Sequence, residues 1–113
     1  MARDKLYLIE PGFSDPKHPD ITFVCPHCNA IEGLLASFPQ LAAAIDVERV
    51  PFPRPRRKVI EDVGEENQSL PVFILADAAP PDASDWNGKR FVTTTDRIFE
   101  LLSERHGFPR LHK

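Results

Sequence analysis

Twelve prolines spread over 113 residues set the first limit on what this chain can become. A proline ring fixes φ and removes an amide N–H, so it begins or breaks helices and is shut out of the middle of a sheet. A bundle of long helices is therefore excluded, and short elements joined by stiff connections are expected. The chain can still build a core. Hydrophobic residues make up 42% and charged residues 27%, a globular balance, and the length suits one domain over residues 1–113 without metal or disulfide staples.

Several classes of partner are excluded early. A net charge of −3 gives no nucleic-acid footprint at the level of the domain. The richest apolar run, Leu70–Ala76, is far shorter than a membrane span and contains Pro71. The start, Met1-Ala2-Arg3-Asp4-Lys5, leads into a short alternating segment and not into the apolar stretch of a signal peptide. The expected compartment is the cytoplasm, where thiols are held reduced unless they cycle. The oligomeric state stays open.

Apolar periodicity then lays out the elements. Leu6, Tyr7, Leu8 and Ile9 read as a buried strand ended by Glu10-Pro11-Gly12. Phe13–Val24, with Pro16, Pro19 and His18, reads as an irregular loop, with room for an edge strand at Ile21–Val24. Ile31, Leu34, Leu35 and Phe38 fall at i, i+3, i+4 and i+7, one stripe of a helix. Pro26 suits the first turn of that helix, which puts Cys25 at its N-cap. Pro39 interrupts it and opens a second short helix through Ala44.

Ile45–Phe52 is the next expected strand, closed by Pro51 and Pro53. Pro55 starts a short helix carrying Val59, Ile60 and Val63, with Gly64 beyond it. After the polar loop Glu65–Ser69, the unbroken run Val72–Leu75 suits a central strand covered on both faces. Ala76–Gly88 is a connection ending in the turn signal Asn87-Gly88, and Lys89–Thr93 is the fourth strand. Thr95 or Asp96 caps a last helix with Ile98, Leu101 and Leu102, ended by Gly107 and Pro109. The order βαβαββα is an α/β fold with a four-stranded mixed sheet. Its first half must be a parallel βαβ unit, because a helix separates the two strands.

The chemistry concentrates in Cys25-Pro26-His27-Cys28. A C-x-x-C pair beside a βαβ pattern is a thiol redox signal. A thiolate at a helix start is stabilised by unpaired N–H groups and the helix dipole, and Cys25 is placed to receive both. Cys28, one turn inside, is near enough to close a disulfide, and a protonated His27 adds a positive charge. Cys25 would attack a partner disulfide and Cys28 would resolve the mixed disulfide, the partner being a protein or small-molecule thiol or disulfide.

This arrangement, with Ser69-Leu70-Pro71 opening the next central strand, resembles the thioredoxin-like superfamily. The resemblance implies a cis-proline at Pro71 facing the dithiol, and a backbone at Leu70 that pairs with the bound substrate chain. It makes Cys25 the nucleophile and Cys28 the resolving thiol. The Pro-His pair inside the motif is similar to that of periplasmic disulfide oxidases. As a whole the chain is most similar to an uncharacterised bacterial domain-of-unknown-function family within that superfamily, which brings no established activity with it. Glutaredoxins and glutathione transferases share the strand order. By that likeness Thr95-Asp96 and Gln68-Ser69 are candidate contacts for glutathione, the one cofactor the likeness suggests.

Bland readings stand beside these. The cysteines can form a static disulfide or none, in a non-catalytic interaction module that keeps the fold. A metal site would have to recruit His18, His27, His106 or His112, and zinc takes four protein ligands, so no metal is expected. Glu32 shares the helix face of both cysteines, as a proton relay or a solvated side chain. Arg54, Arg56, Arg57 and Lys58 read as a solvated helix face or an anion patch. Trp86 reads as packing at the edge of the core.

Overall fold

A computed structural model describes residues 3–112 of the chain. Its strands are β1 (Lys5–Ile9), β2 (Phe13–Asp15), β3 (His18–Phe23), β4 (Asp46–Val50), β5 (Val72–Leu75), β6 (Ser84–Trp86) and β7 (Lys89–Val92). The helices are α1 (Pro26–Ser37), α2 (Pro39–Ala42), α3 (Arg57–Val63) and α4 (Thr95–His106), with a single 3-10 turn at Glu65–Asn67. No helix among the described residues is long and apolar enough to cross a membrane.

Five strands form one sheet in the order β4-β1-β5-β7-β6. β4 runs parallel to β1, which the intervening α1 and α2 require, and the other neighbours pair antiparallel. Leu6, Tyr7, Leu8, Val72 and Phe73 are almost completely buried, as strands covered on both faces should be. Ile31 and Leu35 from α1, Val59 and Val63 from α3, and Ile98, Leu101 and Leu102 from α4 complete one continuous core. On the α3 side Tyr7 sends its hydroxyl to Asp62 Oδ2 at 2.5 Å.

The strand count corrects the expected four-stranded sheet. The fifth strand is β6, whose sequence Ser-Asp-Trp is too polar and too short to register as a strand. It forms because Asn87 (φ +51°) and Gly88 (φ +84°) make a two-residue turn that folds it onto β7, with Trp86 opposite Lys89. Trp86 then lies over Gly64, where a Cβ would come within 2.7 Å of its Nε1.

The loop after β1 is also more ordered than its composition indicates. β3 is longer than the expected edge strand and pairs antiparallel with β2 as a separate two-stranded ribbon. The Asp15 carboxylate accepts the Lys17 N–H at 3.0 Å and sets the turn. Phe13 stacks on Phe52 (4.3 Å between ring centres, 3° apart in plane), which ties the ribbon to the segment after β4. Two helix starts shift as well. α3 begins at Arg57 after a cis Arg54–Pro55 bond, so Pro55 precedes the helix. Thr94, not Thr95 or Asp96, is the N-cap residue of α4, and its side chain makes no capping bond.

Asp4 fastens α4 to the start of β1. Its buried carboxylate accepts Arg105 Nε at 2.7 Å and Nη2 at 2.8 Å, pairs with His106 Nε2 at 2.7 Å, and accepts the Ala76 N–H at 2.8 Å. Burial opposes ionisation, but the bonds from Arg105, Ala76 and His106 outweigh it and hold the carboxyl below its ordinary value. Asp4→Ala removes the buried acceptor shared by Arg105, His106 and the Ala76 N–H and is expected to destabilise the fold by about 3 kcal/mol in urea titration. A depressed carboxyl contributes stability above its unfolded value, near pH 4, and loses it as the pH falls through the lower folded value. The wild-type denaturation midpoint should therefore drop on acidification over that range, and the Asp4→Ala midpoint should drop less.

Candidate functional site

α1 starts where β1 ends. Pro26 sits in the first turn and Cys25 is the N-cap, in extended conformation (φ −70°, ψ 120°). The Cys25 sulfur accepts the Cys28 N–H at 3.3 Å, so it takes the place a capping oxygen would occupy. Its partner sulfur points the other way. Cys28 is 1% exposed, and its sulfur accepts the Ile9 N–H at 3.5 Å from the end of β1. Both cysteines are free thiols.

The two sulfurs therefore have different surroundings. Burial pushes the Cys28 thiol up to about 12, the Ile9 N–H opposes this, and the nearby Cys25 and Glu32 add to it. Cys28 is a protonated, sheltered thiol at neutral pH. Cys25 is partly exposed and held by an amide N–H. One sulfur can meet a solute, and the other waits behind it.

Opposite Cys25 lies the loop into β5. The Leu70–Pro71 bond is cis, and the Leu70 carbonyl oxygen lies 4.0 Å from the Cys25 sulfur. An open depression of about 460 Å³ extends from here, lined by His27, Leu70, Pro71, Thr95 and Asp96, with Thr93 and Thr94 completing its rim. Five residues singled out from the sequence thus share one surface beside the dithiol. His27 and Asp96 face solvent.

The remaining candidates are drawn into structural bonds. Gln68 is buried, with its carbonyl oxygen accepting the Arg56 N–H at 2.8 Å and its amide nitrogen donating to Glu65 O at 3.0 Å. Ser69 is exposed and accepts Arg54 Nη2 at 3.2 Å. Glu32 is partly exposed and is held by Arg49 through two bonds of 2.7 and 2.6 Å. His106 belongs to the Asp4 cluster at the other end of β1, and His18 lies edge-on to Phe23 in the ribbon. Among the described residues no three His, Cys, Asp or Glu side chains converge as metal ligands.

Arg56 corrects the reading of a solvated basic face. It is buried, with its guanidinium bonded to the carbonyls of Phe52 and Gln68, while Arg54, Arg57 and Lys58 face solvent. A signal for this exists in the sequence. Arg56 continues the stripe of Val59, Ile60 and Val63 at i, i+3, i+4 and i+7, so it occupies the apolar face of the coming helix. A charged residue type masked that position.

A mixed five-stranded sheet with one partly exposed and one buried thiol at a helix start defines an α/β protein with an asymmetric cysteine pair. The chain belongs to the family described as Protein of unknown function (DUF3088), whose model matches residues 3–110. No curated protein and no solved structure matches it.

The asymmetry of the sulfurs gives a direct expectation. In the folded protein at pH 7, iodoacetamide should modify Cys25 and leave Cys28 unmodified, and both should react once the chain is unfolded in urea. Peptide mapping by mass spectrometry reads the two sites separately. Equal labelling of both in the native state would contradict the buried, protonated state of Cys28.

Proposed function

We propose that this protein is a thioredoxin-like thiol–disulfide oxidoreductase with Cys25 as the nucleophile and Cys28 as the resolving thiol. The observation that carries the reading is the Cys25 sulfur, capped by the Cys28 N–H and set against the carbonyl that precedes cis-Pro71. The strand order supports it. A parallel β1–β4 pair flanks the dithiol helix, and β5, opened by Leu70-Pro71, runs antiparallel to β1.

The Cys25 thiolate attacks one sulfur of a substrate disulfide, forming a mixed disulfide and expelling the second substrate sulfur as a thiolate, which takes a proton from water. Cys28 then attacks the Cys25 sulfur, the bond from Cys25 to the substrate sulfur breaks, and the proton lost by Cys28 passes to that departing sulfur. The substrate leaves as a dithiol carrying two electrons, and the protein is left with a Cys25–Cys28 disulfide. The high proton affinity of Cys28 keeps it silent until the mixed disulfide lies beside it. The same steps run in reverse for oxidation of a dithiol, and the expected compartment is the cytoplasm.

Leu70 offers its backbone to an extended substrate segment, and a protein or small-molecule disulfide satisfies the chemistry equally. The depression at His27, Pro71, Thr95 and Asp96 favours a second reading for the small-molecule case, in which glutathione is the co-reactant.

Equilibration in glutathione redox buffers, followed by acid quenching and alkylation, tests the exchange. The wild type should pass between dithiol and disulfide within the buffered range. Cys28→Ser should accumulate a mixed disulfide on Cys25, and Cys25→Ser should form none. A Cys25 that stays unreactive near neutral pH in the folded protein would leave a non-catalytic interaction module instead. Calorimetry with reduced glutathione checks the second reading, which requires saturable heat that Asp96→Ala weakens.

A further inference from the structure

A cation is buried against the loop that faces Cys25, with no carboxylate to balance it. Arg56 is 7% exposed. Its Nη1 donates to Gln68 O at 2.6 Å, and its Nε and Nη2 donate to Phe52 O at 3.1 and 2.6 Å. The guanidinium also lies over the Phe52 ring, 5.7 Å from its centre. Carbonyl dipoles satisfy these donors but carry no net charge. Every other arginine placed in an ion pair meets an aspartate or glutamate, and among the described residues none pairs with Arg56.

Burying an ion without a counter-charge is costly, so its place in the fold matters. Arg56 grips Gln68, two residues ahead of the Leu70 carbonyl that faces the Cys25 sulfur. Burial and the like charge of Arg54 push the guanidinium down from its usual range, while the charges of Cys28 and Cys25 work in the opposite direction. Of those two sulfurs, Cys28 is held protonated. Cys25 is the partly exposed sulfur of the pair, and the one that the loop held by Arg56 faces.

We propose that Arg56 is the resident counter-charge of the Cys25 thiolate, acting as a positioning residue from beneath the Gln68–Pro71 loop. The inference rests on the thiol-exchange reading and deepens it. Other charged groups surround the dithiol: His27 and Glu32 on α1, Arg54 before α3, and Asp96 at the start of α4. His27, Arg54 and Asp96 are exposed and therefore screened by salt, and Glu32 is engaged by Arg49. Arg56 is shielded from solvent, so its field reaches the sulfur with less screening.

The test is the pH profile of Cys25 carbamidomethylation, read by peptide mapping in wild type, Arg56→Gln and Arg56→Lys, with circular dichroism to establish folding. Arg56→Gln should move the midpoint to higher pH and slow the reaction at pH 7 by about tenfold, the change that one unit of midpoint produces. Arg56→Lys, which keeps the charge and loses the forked grip, should stay close to wild type. A folded Arg56→Lys as slow as Arg56→Gln would make Arg56 a loop clamp only and overturn the proposal. A salt series on the wild type needs no variant to fold. The midpoint should hold between low and high sodium chloride, whereas a rise would assign the effect to exposed charges and also overturn it. Fast wild-type labelling with an equally fast Arg56→Gln defeats this inference alone. Wild-type labelling no faster than that of the unfolded chain defeats the thiol-exchange reading itself.

Discussion

The rest of the molecule is organised around β1, whose residues Leu6–Ile9 are buried in the core. β4 pairs with it along its whole length and β5 along Lys5–Tyr7, so most of its backbone groups are satisfied within the sheet. Its two ends serve different purposes. At the first, the Asp4 carboxylate gathers Arg105, His106 and the Ala76 N–H and locks α4 down. At the last, the Ile9 N–H meets the Cys28 sulfur and fixes the beginning of α1. Stability and chemistry are thus separated by the length of one short strand.

The paired cysteines illustrate how a fold can give identical side chains different reactivity. The two differ by three positions on one helix, yet one caps the helix and the other enters the core. Burial disfavours the charged form of the inner sulfur, while the outer one is partly exposed at the helix start. Pro26 contributes by starting the helix at the position that leaves Cys25 as its cap.

What could be read in the sequence was whatever repeats or punctuates. The stripe Ile31-Leu34-Leu35, the run Val72–Leu75, the turn Asn87-Gly88 and the helix end at Gly107 all appear where pattern and backbone preference put them. The place of the cysteine pair was legible for the same reason, since Pro26 and the stripe behind it put Cys25 at a helix start. The β2–β3 ribbon was not. It is mostly exposed and polar, and its anchoring contact joins Phe13 to Phe52, far apart in sequence. β6 was missed because strand pairing, not side-chain pattern, creates it. Gln68 and Arg56 escaped because their role depends on each other across a loop, a pairing that no local window contains.

The Cys25 sulfur takes its coordinates from the sheet through a chain of two bonds, Ile9 N–H to Cys28 sulfur and Cys28 N–H to Cys25 sulfur. The segment from residue 10 to residue 24 joins the same two elements but takes no part in that chain of bonds. Insertions and deletions in it leave those two bonds untouched: the ribbon can lengthen or shorten while the Cys25 sulfur stays where β1 puts it. The surroundings of the cysteine pair can thus change without moving the pair itself.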